Sequence, residues 1–173
     1  MMKTITSLIA ITALLITPAL GQQQSPCTEA PYTDFDFWVG EWDVTDASGT
    51  LQGRNVITKE ERGCLIIERW VSVQGGTGQS YNYYDPAIEK WRQVWISGGF
   101  TIDYEGGLDD NGKMVLEGEI HLRNGAAAAF RGIWTALEDG RVKQHFDQYS
   151  VEKEKWLPWF TGFYKKISLE EEK

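Results

Sequence analysis

Residues 90–122 read KWRQVWISGGFTIDYEGGLDDNGKMVLEGEIHL, and they decide the fold because they hold three runs of alternating apolar and polar side chains. Two glycine-containing turns, Gly98-Gly99 and Asp110-Asn111-Gly112, separate the runs. A period of two is typical of strands with one buried face, and turns this short join antiparallel neighbours. The stretch therefore predicts three consecutive antiparallel strands.

The same alternation extends in both directions from this stretch. We predict ten strands, at residues 42–46, 51–60, 64–74, 79–85, 90–97, 100–108, 113–122, 126–137, 141–151 and 156–169. A meander of this length avoids exposed edges by closing into a barrel. The predicted fold class is therefore all-β, an up-and-down antiparallel β-barrel of about ten strands, with residues 34–39 as a short helical plug at one mouth.

The turn positions predict which side chains share a face. We assume a two-residue turn at Gly98-Gly99 and three-residue turns that end in Gly112, Gly125 and Gly140. Apolar residues then collect on the inner face, and Arg92 lies opposite Glu105 on the outer face. We expect Glu117, Arg131 and Asp147 to form an exposed ladder of ion pairs, worth about 0–1 kcal/mol per pair.

The inner face carries polar side chains among its aromatic residues. It gives a candidate ligand-binding set of Arg69, Asn82, Tyr84, Trp91, Gln93, Trp95, Tyr104, Trp134, Gln144, Phe146 and Gln148. Burying an unpaired amide costs about 1–3 kcal/mol, so the polar members must meet each other, water or a ligand. Aromatic walls with a few polar groups are typical of small-molecule pockets. An internal hydrogen-bond network over a filled core is the alternative.

Arg69 is the expected anchor for a ligand, because a guanidinium binds a carboxylate through two parallel hydrogen bonds. Fatty acids and similar amphiphiles are therefore the first ligands to expect. The inward orientation of Arg69 requires that the loop at Gly75–Gly78 has an even length. An odd length would turn Glu68 inward instead, and a carboxyl in the lumen would favour an enzyme.

The chain begins with a pattern typical of an export signal. Met1-Met2-Lys3 is basic, residues 4–20 carry no charge, and Ala19-Leu20-Gly21 offers small residues at the two positions that a signal peptidase reads. We expect cleavage near Gly21 and a periplasmic or secreted protein. The predicted organisation is a signal peptide at 1–21, an N-terminal tail at 22–33, a barrel domain at 34–169 and an acidic tail at 170–173.

The two cysteines can form one disulfide in an oxidising compartment. Cys27 and Cys64 would tie the N-terminal tail to the barrel, and two free thiols are the alternative.

Charge and motifs exclude several classes of function. The net charge is −8, from 17 Lys and Arg against 25 Asp and Glu, which argues against nucleic acid as a partner. His121 and His145 are the only histidines, and the register places both on the outer face. Asp109-Asp110-Asn111-Gly112 lacks the ligand spacing of a calcium loop. We expect a monomer with no catalytic residues, metal site or cofactor.

The decapeptide FDFWVGEWDV at residues 35–44 resembles the opening of a bacterial family of exported proteins of unknown function. Further similar stretches are Gly63-Cys64-Leu65-Ile66, Tyr84-Asp85-Pro86 with Lys90-Trp91, residues 130–134 and residues 140–144. The segment 152–156 departs from the family pattern before the last strand. The resemblance implies a calycin-type barrel, similar to lipocalins and fatty-acid-binding proteins, and it implies no reaction.

Three functions compete on such a barrel. The first is an exported carrier or sensor of a small apolar or amphiphilic molecule. The second is an enzyme of the isomerase, cyclase or hydratase type, for which the inward set offers no carboxylate or histidine. The third is an outer-membrane barrel, which would place Asp103, Glu105 and Arg131 in lipid, at about 2–4 kcal/mol for the cation. We therefore expect the carrier, without membrane insertion.

Overall fold

The computed structural model describes residues 26–167, and these form a closed antiparallel barrel of ten strands. Each strand pairs with its neighbours in sequence, and the first strand pairs with the last. The predicted fold class is confirmed. The signal peptide expected at 1–21 and the acidic tail expected at 170–173 lie outside the described residues. Within residues 26–167, no helix has the length and apolar character needed to cross a membrane.

The strand boundaries follow the predicted runs closely. The strands are β1 Gly40–Thr45, β2 Leu51–Glu60, β3 Leu65–Ser72, β4 Thr77–Asp85, β5 Lys90–Ser97, β6 Phe100–Leu108, β7 Met114–Leu122, β8 Ala127–Ala136, β9 Val142–Ser150 and β10 Lys155–Lys166. Two short 3₁₀ helices, Asp36–Trp38 and Glu61–Gly63, complete the described elements.

Five hairpin loops share one backbone pattern, a three-residue turn that ends in glycine. The glycine has a φ between 72° and 86°, and its N–H donates to the carbonyl of the residue before the turn. The five glycines are Gly49, Gly75, Gly112, Gly125 and Gly140. Glycine adopts this left-handed conformation without steric cost, so these positions end the strands and set the register.

The register from β5 to β9 is the one predicted from the charges. Arg92 lies directly opposite Glu105, although its guanidinium forms its ion pair with Asp103. Arg131 lies between Glu117 and Asp147 on neighbouring strands. The inner face of these strands buries Ile102, Tyr104, Met114, Leu116, Ile120, Phe130, Trp134 and Val142. Turn chemistry and side-chain alternation therefore predict the same register for strands β5 to β9, which form half of the barrel.

The orientation predicted for β3 is wrong. Five residues separate the paired Val71 and Thr77, so Glu68 lies opposite Ser80 and points into the barrel. Arg69 faces outward, with its side chain 45% exposed, and it pairs with Glu60 at 3.2 Å on the adjacent strand β2. The turn Val73-Gln74-Gly75 has an odd length, which exchanges the two faces of the strand relative to the prediction.

The expected helical plug closes one end of the barrel. Phe35 and Trp38 are fully buried there, and the Trp38 ring packs on Trp134 with centroids 5.6 Å apart. Lys59 of β2 donates to Asp36 at 2.5 Å. A disulfide joins Cys27 to Cys64 with Cα atoms 5.0 Å apart, so the segment before the plug is bonded to the barrel wall.

One residue of the outer ladder of ion pairs, Asp147, is less exposed than predicted. The Asp147 side chain is only 9% exposed, and it accepts hydrogen bonds from Arg131 at 2.8 Å and His145 at 3.0 Å. The Arg131 guanidinium also lies over the Trp156 ring, 4.6 Å from its centroid. Burial works to raise the pKa of Asp147, but the hydrogen bonds from Arg131 and His145 outweigh burial and lower the pKa below its usual value.

Candidate functional site

An internal cavity of about 210 Å³ lies between the plug and the opposite end of the barrel. We call it the lumen cavity. Aromatic, aliphatic and polar side chains from five strands, β3, β5, β6, β9 and β10, line it: Glu68, Trp70, Gln93, Trp95, Phe100, Ile102, Tyr104, Gln144, Phe146, Trp159, Phe160 and Tyr164. The barrel is therefore only partly filled by its own side chains.

Two glycines in the wall make room for the tryptophan rings of the cavity. A Cβ atom at Gly53 would lie 2.6 Å from the Trp70 ring, and one at Gly78 would lie 2.1 Å from the Trp95 ring. Each tryptophan therefore covers a strand segment that has no side chain. A side chain at either glycine would displace the tryptophan ring from this position on the wall.

The mouth of the lumen cavity is formed by aromatic residues around a bulge in β10. The register of β10 against β9 shifts between Pro158 and Phe160, so Trp159 is an extra residue on the bulged strand. Its ring contacts Phe100 at 5.5 Å and Phe146 at 6.0 Å between centroids. Trp159 is nevertheless 45% exposed. The bulge therefore places an aromatic ring between the lumen and the surface.

The base of the cavity contains the buried carboxyl of Glu68, whose residue surface is 4% exposed. Asn55 donates to its Oε1 atom at 2.7 Å, and the Ser80 hydroxyl donates to its Oε2 atom at 2.6 Å. Both donors are fully buried. Each carboxyl oxygen therefore has one protein donor and keeps further lone-pair capacity.

A chain of hydrogen bonds runs from Tyr104 to Glu68 across strands β6, β5, β4 and β3. The Tyr104 hydroxyl donates to Gln93, and the Gln93 amide donates to Asn82. Asn82 donates in turn to the Ser80 hydroxyl at 2.9 Å, and Ser80 donates to Glu68. Every donor in the chain points towards the carboxyl. This is a network in which each bond strengthens the next, with Glu68 as its terminal acceptor.

A second branch reaches the carboxyl from the other side of the lumen. Asn55 donates to the Tyr164 hydroxyl at 3.3 Å, and Tyr164 donates to the Gln144 side-chain oxygen at 2.6 Å. The Oδ1 atom of Asn55 is buried and has no hydrogen-bond partner within residues 26–167. The base of the cavity therefore carries more acceptor capacity than the surrounding donors use.

Burial dominates the titration of these groups. It raises the pKa of Glu68 from 4.5 to about 7, although the hydrogen bonds from Ser80 and Asn55 act in the opposite direction. Burial, together with the nearby Glu68 carboxyl, raises the pKa of Tyr104 and Tyr164 well above 10, so both phenols stay protonated. Glu68 is therefore the group at the cavity that changes charge near neutral pH.

Five of the predicted site residues line the lumen cavity: Gln93, Trp95, Tyr104, Gln144 and Phe146. Asn82, Trp91 and Trp134 are buried but do not line the cavity, and the rings of Trp91 and Trp134 pack against Phe35 at the plug. Tyr84 lies at the plug end, where its ring contacts Tyr32 at 5.2 Å. Gln148 lines a separate surface groove beside the β9–β10 loop.

Arg69 is the member of the predicted set that the structure removes from the lumen. Its guanidinium donates to Thr58 at 3.0 Å and pairs with Glu60 on the outer wall. The anchor for an anionic head group expected from the sequence is therefore absent from the described lining, and a carboxyl takes its place.

Several lining residues were not in the predicted set. Phe100 and Ile102 follow from the correct register of β6, and Glu68 and Trp70 follow once the β3–β4 turn is recognised as a three-residue turn. Tyr164 and Phe160 lie on β10, where the bulge at Trp159 breaks the alternation that would have placed them. The three-residue turn that ends in glycine, repeated along the chain, was the signal that could have placed Glu68 and Trp70.

Within the described part of the chain, no three His, Cys, Asp or Glu side chains converge in a way that could hold a metal ion. The chain matches no model of a known protein family and no curated protein.

Proposed function

We propose that the protein is an exported carrier or sensor that binds a small, largely apolar molecule in the lumen cavity. The observation that carries the proposal is the combination of a cavity of about 210 Å³, aromatic walls and a buried polar base. Apolar walls bind the body of a ligand by excluding water, and a few polar groups orient it. A barrel whose only role was structural would fill this space with side chains, because empty volume costs stability.

The volume limits the size of the ligand. The lumen cavity, at about 210 Å³, is somewhat larger than the cavity of about 150 Å³ that accepts benzene, and smaller than the 300–1,000 Å³ of typical drug-sized sites. A single ring with a short substituent fits inside. A longer chain would have to extend past Trp159 at the mouth. Long fatty acids, the first ligands expected from the sequence, are disfavoured by this size and by Glu68 at the base.

Export is supported by the disulfide between Cys27 and Cys64, which is typical of oxidising compartments. The ten-stranded barrel likewise supports the resemblance of residues 35–44 to exported calycin-type proteins. Both the export and the family assignment stay part of the proposal.

Binding of 2-phenylethanol tests the proposed function, because this neutral probe has one ring and a short polar tail. Isothermal titration should give a 1:1 complex with the oxidised protein. Ile102→Phe reduces the cavity and should weaken binding several-fold, at a stability cost of about 1–3 kcal/mol. Ile96→Phe is the matched control, because Ile96 lies on the outer wall and is 49% exposed. Equal weakening by both variants would contradict binding in the lumen.

Catalysis of proton transfer is the second candidate function, and the inward position of Glu68 favours it. A carboxyl with a pKa of about 7 can both accept and donate a proton near neutral pH. Mass spectrometry of ligands recovered after incubation distinguishes the two functions. A ligand recovered unchanged supports a carrier, whereas a product formed by the wild type and not by Glu68→Gln supports an enzyme.

A further inference from the structure

The charges at the lumen cavity have one sign. Among the described residues that line it, Glu68 is the only one whose side chain carries a charge near neutral pH, and none is Lys, Arg or His. The outward Arg69 uses its guanidinium on Glu60 and Thr58 and faces away from the lumen. An ionised Glu68 therefore has no counter-ion in the lining, and a buried carboxylate without one is costly.

The hydrogen bonds at the base also leave the Glu68 carboxylate without enough donors. A carboxylate accepts about four hydrogen bonds, and Asn55 and Ser80 supply one to each oxygen. The Asn55 Oδ1 atom beside it is a further acceptor without a partner in the described residues. The Trp95 indole N–H in the wall is also unpartnered, but a neutral donor cannot balance the carboxylate. The base therefore lacks a donor that also carries positive charge.

The walls suit a cation as well as an apolar body. Three indole rings, those of Trp70, Trp95 and Trp159, line the cavity together with phenyl and phenol rings. The face of an aromatic ring attracts a cation, and the attraction is about 2 kcal/mol or more when the cation is desolvated. A carboxylate ligand would find neither a cation nor this attraction.

We propose that the ligand is a small primary amine with a single ring, whose ammonium group binds Glu68 at the base while its ring contacts the aromatic walls. This proposal rests on the proposed function and names the class of molecule that the same cavity takes. An ammonium group supplies three donors and one positive charge, which match the free lone pairs and the negative charge of Glu68.

Binding should depend on pH through Glu68. The groups that face Glu68 are Asn55 of β2, Ser80 of β4, Tyr104 of β6 and Tyr164 of β10. Both phenols stay protonated between pH 6 and pH 8. With a pKa of about 7 for Glu68, the affinity for an amine should rise roughly tenfold from pH 6 to pH 8. The affinity for a neutral ligand should not rise.

The test compares three probes of similar size: 2-phenylethylamine, 2-phenylethanol and phenylacetate. Calorimetric titration at pH 8 should show the wild type binding the amine at least about tenfold more tightly than the alcohol, with phenylacetate weakest. Glu68→Gln should remove this preference, so that the amine no longer binds more tightly than the alcohol. Glu60→Gln, which neutralises an exposed carboxyl on the outer wall, is the matched control and should leave the preference unchanged.

The outcomes separate the two proposals. An alcohol that binds the wild type as tightly as the amine overturns the amine assignment and leaves the carrier function standing. Phenylacetate that binds more tightly than the amine overturns the amine assignment as well. If none of the three probes binds, both proposals fail together. If Glu68→Gln does not fold, the pH dependence of the wild-type protein still tests the role of Glu68. An amine affinity that does not change from pH 6 to pH 8 overturns the binding of the ammonium group to Glu68.

Discussion

The Ser80 hydroxyl donates a 2.6 Å hydrogen bond to Oε2 of Glu68, its directly opposite neighbour across the β3–β4 pair. The hydroxyl in turn accepts from Asn82, so its own proton is committed to the carboxyl. Burial opposes ionisation of Glu68, while this bond and the one from Asn55 favour it. The balance between these effects leaves the carboxyl ready to change its charge near neutral pH.

The wild-type protein should lose stability as the pH rises from about 5 to 8. The folded-state pKa of Glu68, about 7, lies above its ordinary value of 4.5, so the folded state holds this proton more tightly than the unfolded state. The stabilisation is complete below pH 4.5 and is lost as the pH rises through 7. The loss should be on the order of 2–3 kcal/mol, measured by urea denaturation at each pH.

Glu68→Gln should remove this part of the pH dependence, because the amide does not titrate. Its side-chain oxygen can still accept from Asn55, but its NH2 group then faces the Ser80 hydroxyl, whose proton loses its acceptor, so the variant also carries a constant cost that does not depend on pH. The difference between wild type and variant isolates Glu68 from every other titrating group. A difference that stays constant from pH 5 to pH 8 would show that the carboxyl keeps an ordinary pKa.

Arg131→Gln should destabilise the protein by about 1–3 kcal/mol, more than an exposed ladder predicts. The substitution leaves the Asp147 carboxylate, 9% exposed, with His145 as its remaining partner, and an uncompensated buried charge is costly. Arg54→Gln is the control, because Arg54 and Asp43 form an ion pair with 69% and 40% exposed side chains. That variant should lose less than about 1 kcal/mol. Equal losses in denaturant melts would contradict the buried role of Asp147.

The sequence predicted the barrel because its turns and its alternation of apolar and polar residues assign the same side chains to the inner face. Gly112, Gly125 and Gly140 each end a three-residue turn, and each turn sets the faces of the two strands it joins. The β3–β4 turn follows the same rule, but Gly75 is followed by Gly76 and Gly78, so the sequence alone does not show which glycine ends the turn. One misplaced residue there exchanged Arg69 and Glu68, and with them the expected charge of the ligand.

Other features of the site depend on contacts that no local pattern carries. The bulge at Trp159 arises where β10 meets β9, between segments whose alternation gives no warning of an extra residue. Asp147 looks like an exposed acid in the sequence, but His145 and Arg131, which also packs on Trp156 of the next strand, bind its carboxylate, and its side chain is 9% exposed. Alternation distinguishes inside from outside, but it does not show how far neighbouring side chains cover an outer residue.

Gly118→Ala should destabilise the barrel by about 1–3 kcal/mol or more. A Cβ atom at this inward position would lie 2.1 Å from the backbone oxygen of Asp103 and 2.6 Å from the Tyr104 Cα. Backbone cannot move aside as a flexible side chain can, so the strands must separate locally. Gly107→Ala, on the neighbouring strand β6, meets nothing within 4 Å and should be close to neutral. Thermal unfolding of the two variants tests the prediction, which a neutral Gly118→Ala would contradict.

Replacing Cys27 and Cys64 together by serine should cost about 3–4 kcal/mol of stability. The bond joins residues 37 positions apart, and in the chain-entropy model its removal gives the unfolded state the freedom of a loop of that length. The folded state should keep its plug, because Phe35 and Trp38 remain buried and Lys59 still holds Asp36. The loss should therefore appear in denaturant midpoints, while 2-phenylethanol affinity stays within a few-fold of wild type. Reductant should produce the same loss in the wild type and none in the double variant. A double variant that loses ligand affinity along with stability would show instead that the disulfide, and not the packing of the plug, keeps the base of the lumen closed.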